Sequence, residues 1–385
     1  MKKPIALIFS VVLLLAACQR DHSGWKGTIE VVNGVAIVKN PGEPVYDGDV
    51  LDLDEDLSIG ASDGEDEYIF SRIGGMDVDD EGNIYAIDSS SAHVRVFDSR
   101  GQFLRTIGTK GQGPGEFQMP GFVQATSHGE IAVFDFPTQR LVFFSPDGTY
   151  LRQVSAARMR YPVMPIRLDS RGNTVGFQVT APPPIGGQEI AKYGSDFEPL
   201  FTIAREEPEK DRKERQFDLA KPGVFCAVSP NDTIVWGNSA AYELNVLSPE
   251  GKPIRTIQKR HDRLPMTAEY REKYEKELSG LVARGVKLNF PDRFPAFLDV
   301  SVDEKEWLWV RTYDQVEGGD NTFFFDVFDA EGRYLARVPI RVNLNQKSVW
   351  KNNALYTIET GEEGFQTIKR FNVRWKIPGI DSSGQ

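Results

Sequence analysis

The chain has 385 residues, 40% of them hydrophobic and 26% charged, ordinary globular usage that argues against a largely disordered chain or a polytopic membrane protein. Its 45 Lys and Arg against 56 Asp and Glu leave a net charge of −11, which repels phosphate backbones and argues against nucleic acid as a partner. With 35 Gly, 23 Pro and 24 Phe, the composition favours many short strands joined by tight turns.

At the start of the chain, Lys2 and Lys3 precede an apolar run over 5–15, followed by Leu15-Ala16-Ala17-Cys18. The run is shorter than the ~20 residues a spanning helix needs, so residues 1–17 read as a signal peptide rather than a membrane span. The residues before Cys18 resemble the lipobox of bacterial lipoproteins. That resemblance implies cleavage before Cys18, a diacylglyceryl thioether on its sulfur and a lasting membrane anchor, each buried methylene contributing ~0.8 kcal/mol. Gln19, where enteric inner-membrane lipoproteins carry Asp, further implies the outer membrane of a bacterial cell envelope. Residues 18–24 are then a tether. With Cys18 lipidated, Cys226 is the one remaining cysteine, so no intrachain disulfide is available.

Self-similarity organises the rest. An alternating apolar run, a polar turn and a second alternating run occupy 76–88, with the turn at Asp79-Asp80-Glu81-Gly82-Asn83. The pattern recurs at 124–135, 167–177, 227–236, 301–311 and 349–358, six copies in all. A second turn follows most copies, at Asp98-Ser99-Arg100-Gly101, Ser145-Pro146-Asp147-Gly148, Ser248-Pro249-Glu250-Gly251 and Asp329-Ala330-Glu331-Gly332; the third copy, at Ser195-Asp196-Phe197, lacks its Gly. Two hairpin turns give four strands per copy, and successive turn glycines lie about 47 residues apart, a spacing that fits propeller blades. The expected fold is all-β: one six-bladed β-propeller of four-stranded antiparallel blades over 25–377. The sixth copy supplies only three convincing strands, so an N-terminal strand, 27–32 or 35–38, is expected to close the ring. Residues 39–69 are acidic and rich in Gly and Pro, and read as a surface connector; residues 378–385 read as a flexible tail. Met266, Tyr270, Tyr274, Leu278, Leu281 and Val282 sit at helical spacing, which predicts an inserted amphipathic helix over 266–285, either a cover for apolar surface or a lid.

The link Ile107-Gly108-Thr109-Lys110-Gly111-Gln112-Gly113-Pro114-Gly115-Glu116-Phe117, with the turn at Asp79 to Asn83 and the strand Val94-Arg95-Val96-Phe97-Asp98, resembles the NHL repeat. The chain as a whole is similar to bacterial six-bladed β-propeller lipoproteins related to NHL proteins, most clearly in its first two blades. The resemblance implies the fold but no activity, because propellers host unrelated functions.

No catalytic set, metal site or cofactor site is assembled from the sequence. The Gly-rich link 108–115 lacks the Lys-Ser/Thr of a phosphate loop and does not open a helix. Asp77, Asp79, Glu81, Gly82 and Asp88 mimic the spacing of a calcium loop, but the flanks alternate as strands and the equivalent turns lack the ligands. His22, His93, His128 and His261 fall at unrelated positions.

The long connections, at 181–187, 206–215, 266–285 and 314–321, alternate with the tight turns, which puts all of them on one face of an antiparallel meander. On that face a basic residue stands at or before most first strands: Arg72, Lys110, Arg158, Arg160, Lys221, Arg293 and Lys347, with Tyr161 and Tyr313 beside them. Together they form a candidate mouth for a carboxylate-bearing ligand. The expected role is a monomeric, membrane-tethered binding or scaffold propeller recognising a protein or a sugar- or peptide-like ligand. The alternatives are a metal-assisted lactonase- or lyase-like enzyme and a structural subunit of an envelope complex.

Overall fold

A computed structural model describes residues 24–61, 63–159, 162–180, 187–207, 216–316, 322–340, 348–361 and 363–377. The signal peptide with Cys18, and the tail 378–385, lie outside them. Six sheets form the blades, each with four antiparallel strands that run from inner to outer in chain order in blades one to five; in blade six the outer strand comes from earlier in the chain. The inner strands are Ile73–Val78, Pro120–Ala125, Val163–Leu168, Val224–Val228, Asp299–Val302 and Val349–Lys351, for blades one to six. The chain is a six-bladed β-propeller.

Its hydrophobic interior is divided. One apolar cluster lies at each of the six contacts between neighbouring blades, because a single four-stranded sheet has two apolar faces and needs a neighbour on each. The turns are built as their residues suggest. Gly101 takes φ +78, and a Cβ there would stand 2.9 Å from Leu57 Cδ1. In the third blade, where this Gly is missing, Phe197 itself adopts φ 60 and is buried, its ring 6.2 Å from Phe134. Packing offsets the left-handed strain there.

The ring is closed by a different segment from the one expected. The fourth strand of blade six is Leu51–Ile59, from within the acidic stretch read as a connector, and it pairs antiparallel with Gln366–Trp375. A bulge between Glu55 and Leu57 shifts its phase. Leu51 and Leu53 therefore pack into the cluster shared with blade five, and Leu57 and Ile59 into the cluster shared with blade one. Its acidic side chains meet a basic strand. Asp52 binds Arg374 at 2.8 Å and Lys376 at 2.7 Å, Glu55 binds Lys369 at 3.0 Å, and Asp56 binds Arg370 at 2.8 Å. Hydrogen bonds from Lys376 and Arg374 hold the Asp52 carboxyl below its usual range, and the bond from Arg370 does the same for Asp56.

The segments expected to close the ring, Thr28–Val32 and Val35–Asn40, instead form a hairpin on blade four. Val35–Asn40 pairs parallel with the outer strand Pro253–Lys259 and extends that sheet to six strands. Asn40 fixes it there, donating to the Gly332 carbonyl at 2.9 Å and accepting from Tyr334 N at 2.8 Å.

The predicted helix is two: Ala268–Glu277, capped by the Thr267 hydroxyl, and Ser279–Ala283, with the break at Leu278. Tyr270 and Tyr274 pack on Phe294, at 5.1 and 6.4 Å between rings, over a cluster with Leu219 and Met266. That contact is the covering role. A short parallel pairing of Gln216–Asp218 with Lys287–Asn289 ties the insertion to the link between blades three and four.

Ile59 is 1% exposed and Val31 is 67% exposed. Ile59→Ala is expected to cost about 2–4 kcal/mol in urea unfolding, and Val31→Ala less than about 0.5. Equal small losses in both would show that residues 51–59 do not close the ring.

Candidate functional site

The turn carboxylates are structural. Asp79 accepts from Asn83 N at 2.7 Å, Asn83 Nδ2 at 2.8 Å and the Tyr85 hydroxyl at 2.9 Å. Asp169 repeats this with Asn173, and Asp303 with Trp307 N and Trp309 Nε1, both at 2.9 Å. A carboxylate before the turn therefore satisfies the turn's own amides. This explains the resemblance to a calcium loop. Among the described residues no group of three or more His, Cys, Asp or Glu stands where it could hold a metal ion.

Charged groups buried between blades are also spoken for. Lys259 of blade four donates to Asp326 of blade five at 2.7 Å, and the Tyr242 and Tyr334 hydroxyls donate to the same carboxylate, each at 2.6 Å. Burial pulls the Lys259 ammonium down against the attraction of Asp326. His261 is lowered by burial and by Lys259, and its ring packs edge-on against Tyr242. Lys192 bridges Asp169 and the Pro249 carbonyl, both at 2.7 Å, linking blades three and four. Burial alone would raise Asp169, but hydrogen bonds from Lys192 and Asn173 hold it below its usual range. Arg95, at the basic position of the NHL-like motif, pairs with Asp88 and donates to the Glu67 and Ile69 carbonyls.

The inner strands surround a cavity of about 710 Å³ to which all six blades contribute. In blades one to five the strands share one register, and the next-to-last residue of each inner strand falls at an equivalent position: Asp77, Gln124, Arg167, Ala227 and Ser301. All five border the cavity, as does Trp350 of blade six, whose phase is reversed so that it packs against Trp309 of blade five. Two of them clasp the next blade. Asp77 Oδ2 accepts from Ala125 N at 2.8 Å, while Gln124 donates to the Leu168 carbonyl at 2.9 Å and accepts from Leu168 N at 2.8 Å. Arg167 breaks the series: among the described residues nothing accepts a hydrogen bond from its guanidinium. Burial pushes the Asp77 carboxyl up, countered by the charges of Arg167 and Lys351. Lys351 pairs with Asp80 and lies 3.6 Å from Glu304 at the tight-turn end. Towards the other end, Asp299 pairs in register with Arg311. Burial raises the former and lowers the latter. Cys226 also borders the cavity, its thiol pushed up to about 12 by burial.

Strand order puts the ends of the long connections on one face, as expected, and the tight turns on the other; residues 181–186, 208–215 and 317–321 of those connections lie outside the described residues. The candidate mouth residues follow that face but not the channel wall. Arg72, Lys110 and Arg158 are exposed in links between blades. Lys221 pairs with Glu206 at 2.8 Å, and Arg293 donates to the Arg263 carbonyl at 2.6 Å. Tyr313 lies 4.8 Å from the Phe294 ring beneath the helical cover, its hydroxyl pushed up to about 12 by burial. None of these six borders the cavity. Arg160, Tyr161 and Lys347 lie outside the described residues. The channel charges Arg167, Asp299 and Arg311 went unselected in the sequence; Arg167 stands at a fixed offset before its turn, a signal visible only once the copies are aligned.

These features define a class, the six-bladed β-propeller, and comparison with known proteins agrees. A family model, DUF5128, described as a six-bladed beta-propeller, matches residues 63–170. Among solved structures, the chain is similar to a candidate exported protein of Bacteroides fragilis, with 14% identity and a TM-score of 0.52 over 89% of this chain and 100% of that one. It is also similar to a DUF4221 family member of Bacteroides vulgatus, with 12% identity and a TM-score of 0.54 over 85% of this chain and 99% of that one. No curated protein matches it.

Because burial raises Asp77, the stability it contributes is full below its ordinary value of 3.8 and is lost as the pH rises through the raised value. Asp77→Asn keeps an acceptor for the Ala125 amide. It is expected to raise the urea midpoint at neutral pH, with the gain shrinking towards pH ~4. A variant with an unchanged midpoint at both pH values would contradict this reading of the channel wall.

Proposed function

We propose that the protein is a binding propeller of the bacterial envelope, anchored by lipid at Cys18 to the outer membrane, and that it recognises a carboxylate-bearing ligand at its loop-rich face. The observation that carries this reading is the division of the connections. Strand order makes every elaborated link leave the ring on one face, while the opposite face carries short, self-satisfied turns. Variable segments on a rigid scaffold are where recognition is usually placed. On a chain of net charge −11, the exposed Arg72, Lys110, Arg158 and Arg293 on that face form a local positive field that draws in anions. The anchor is argued from the lipobox-like residues before Cys18; among the described residues no helix is long and apolar enough to cross a membrane.

Two measurements test this. Cys18→Ala is expected to move the protein from the membrane pellet to the soluble fraction; full retention in the pellet contradicts the anchor. On an array of acidic and neutral oligosaccharides and peptides, the protein is expected to select acidic members, and Arg158→Glu with Arg293→Glu to weaken them at least tenfold. Selection of neutral members, or affinity unchanged in the double variant, contradicts the mouth.

A further inference from the structure

The N-terminal hairpin carries an apolar face that the ring does not use. Thr28–Val32 is the last strand of the six-stranded sheet, pairing on one side only, and every residue in it is exposed. Registered partners across an antiparallel pair share a face, so Ile29, Val31, Ala36 and Val38 line one face of the hairpin while Glu30 and Lys39 fall on the other. The two faces differ. The second holds an ion pair, Glu30 with Lys39 at 2.8 Å, whereas the first holds no polar side chain. On it Val38 is fully buried, while Ile29 is 40% and Val31 67% exposed, so the face runs from the ring out to open solvent. An exposed apolar edge strand with no Pro, bulge or charge on that face marks a contact surface.

The start of the chain says what covers it. Gly24, the first described residue, lies against the edge of blade five: a Cβ there would stand 3.3 Å from Val45 Cγ1, and the Val45 amide donates to the Tyr334 carbonyl in the outer strand of that blade at 3.2 Å. The apolar face of the hairpin turns the same way. In the parallel pairing Val38 is level with Ile257, which packs in the cluster between blades four and five. Cys18 precedes Gly24 by six residues, a span of at most about 22 Å. A lipid on Cys18 therefore keeps a bilayer within reach of the side that this face looks towards. The net charge of −11 disfavours anionic headgroups, so the contact is apolar rather than electrostatic.

We infer that the apolar face of the hairpin docks on the bilayer that holds the Cys18 lipid, with Ile29 and Val31 entering the headgroup region. The ring then stands on the outer edge of blades four and five, and both of its faces stay open to ligand. This docking rests on the proposed lipid anchor but not on the nature of the ligand.

The test uses the full lipidated protein in phosphatidylcholine vesicles, with Cys226→Ala so that an introduced cysteine is the one free thiol. An environment-sensitive fluorophore is attached at Val31→Cys or, as a control, at Leu104→Cys, which is 42% exposed on the outer strand Phe103–Ile107 of blade one, three places round the ring from blade four. The fluorophore at position 31 is expected to shift to the blue and to be quenched by brominated phosphatidylcholine about threefold or more than at position 104. Ile29→Asp is expected to remove most of the quenching at position 31. Equal quenching at the two positions, or none at position 31 in protein that pellets with the vesicles, would overturn the docking and leave the anchor standing. A blue shift at position 31 without quenching would also overturn it, because a second copy of the chain rather than lipid would then cover the strand. Lipidated protein that stays in the supernatant would contradict the anchor itself, and the docking with it.

Discussion

Pairing of Leu51–Ile59 with Gln366–Trp375 joins the two ends of the folded ring, and the remaining contacts depend on it. Each blade buries its two faces only against two neighbours. A ring open at blade six would leave two apolar clusters incomplete, the one holding Leu51 and Leu53 and the one holding Leu57 and Ile59. The bulge at this strand lets one nine-residue segment serve both, since a shift of one position turns its apolar side chains to the other face of the sheet. The cross-strand ion pairs are solvent-screened and contribute little individually, but their alternation selects this register over a slipped one.

Polar contacts between blades add order to the ring. Lys192 reaches a carbonyl of blade four, Lys259 a carboxylate of blade five, and Arg370 the Ser99 carbonyl of blade one at 2.8 Å. Buried pairs of this sort give modest net stability compared with apolar replacements, so their effect lies in which blade edges fit together. The consequence for function is a rigid channel wall with both signs of charge along it. Recognition is left to the connections on one face.

Much of this architecture was legible from residue pattern. Turn chemistry is local: Asp79 with Gly82 and Asn83, or Ser248 with Gly251, announces a hairpin whatever surrounds it, so the blade count and the face carrying long links follow from sequence. Ring closure is non-local. The alternation of Leu51, Leu53, Leu57 and Ile59 was present in the sequence, but intervening Asp and Glu made it look like a solvated connector, and its basic partners lie more than 300 residues away. The apolar segments at 27–32 and 35–38 looked like better strands, and they are strands, but they extend blade four. The candidate mouth was chosen by proximity to strand starts, a criterion that locates the face but not the direction of a side chain. Arg167 becomes visible only when register places the inner strands of blades one to five side by side.

The most direct test of ring closure is amide hydrogen exchange across Gln366–Trp375 in two shortened chains. In a chain beginning at residue 42, which lacks the blade-four hairpin, these amides are expected to stay as slow as in the full protein. In a chain beginning at residue 61, which also lacks the closing strand, they are expected to exchange far faster. Equal protection in both chains, or protection already lost in the longer one, would contradict the closure described here.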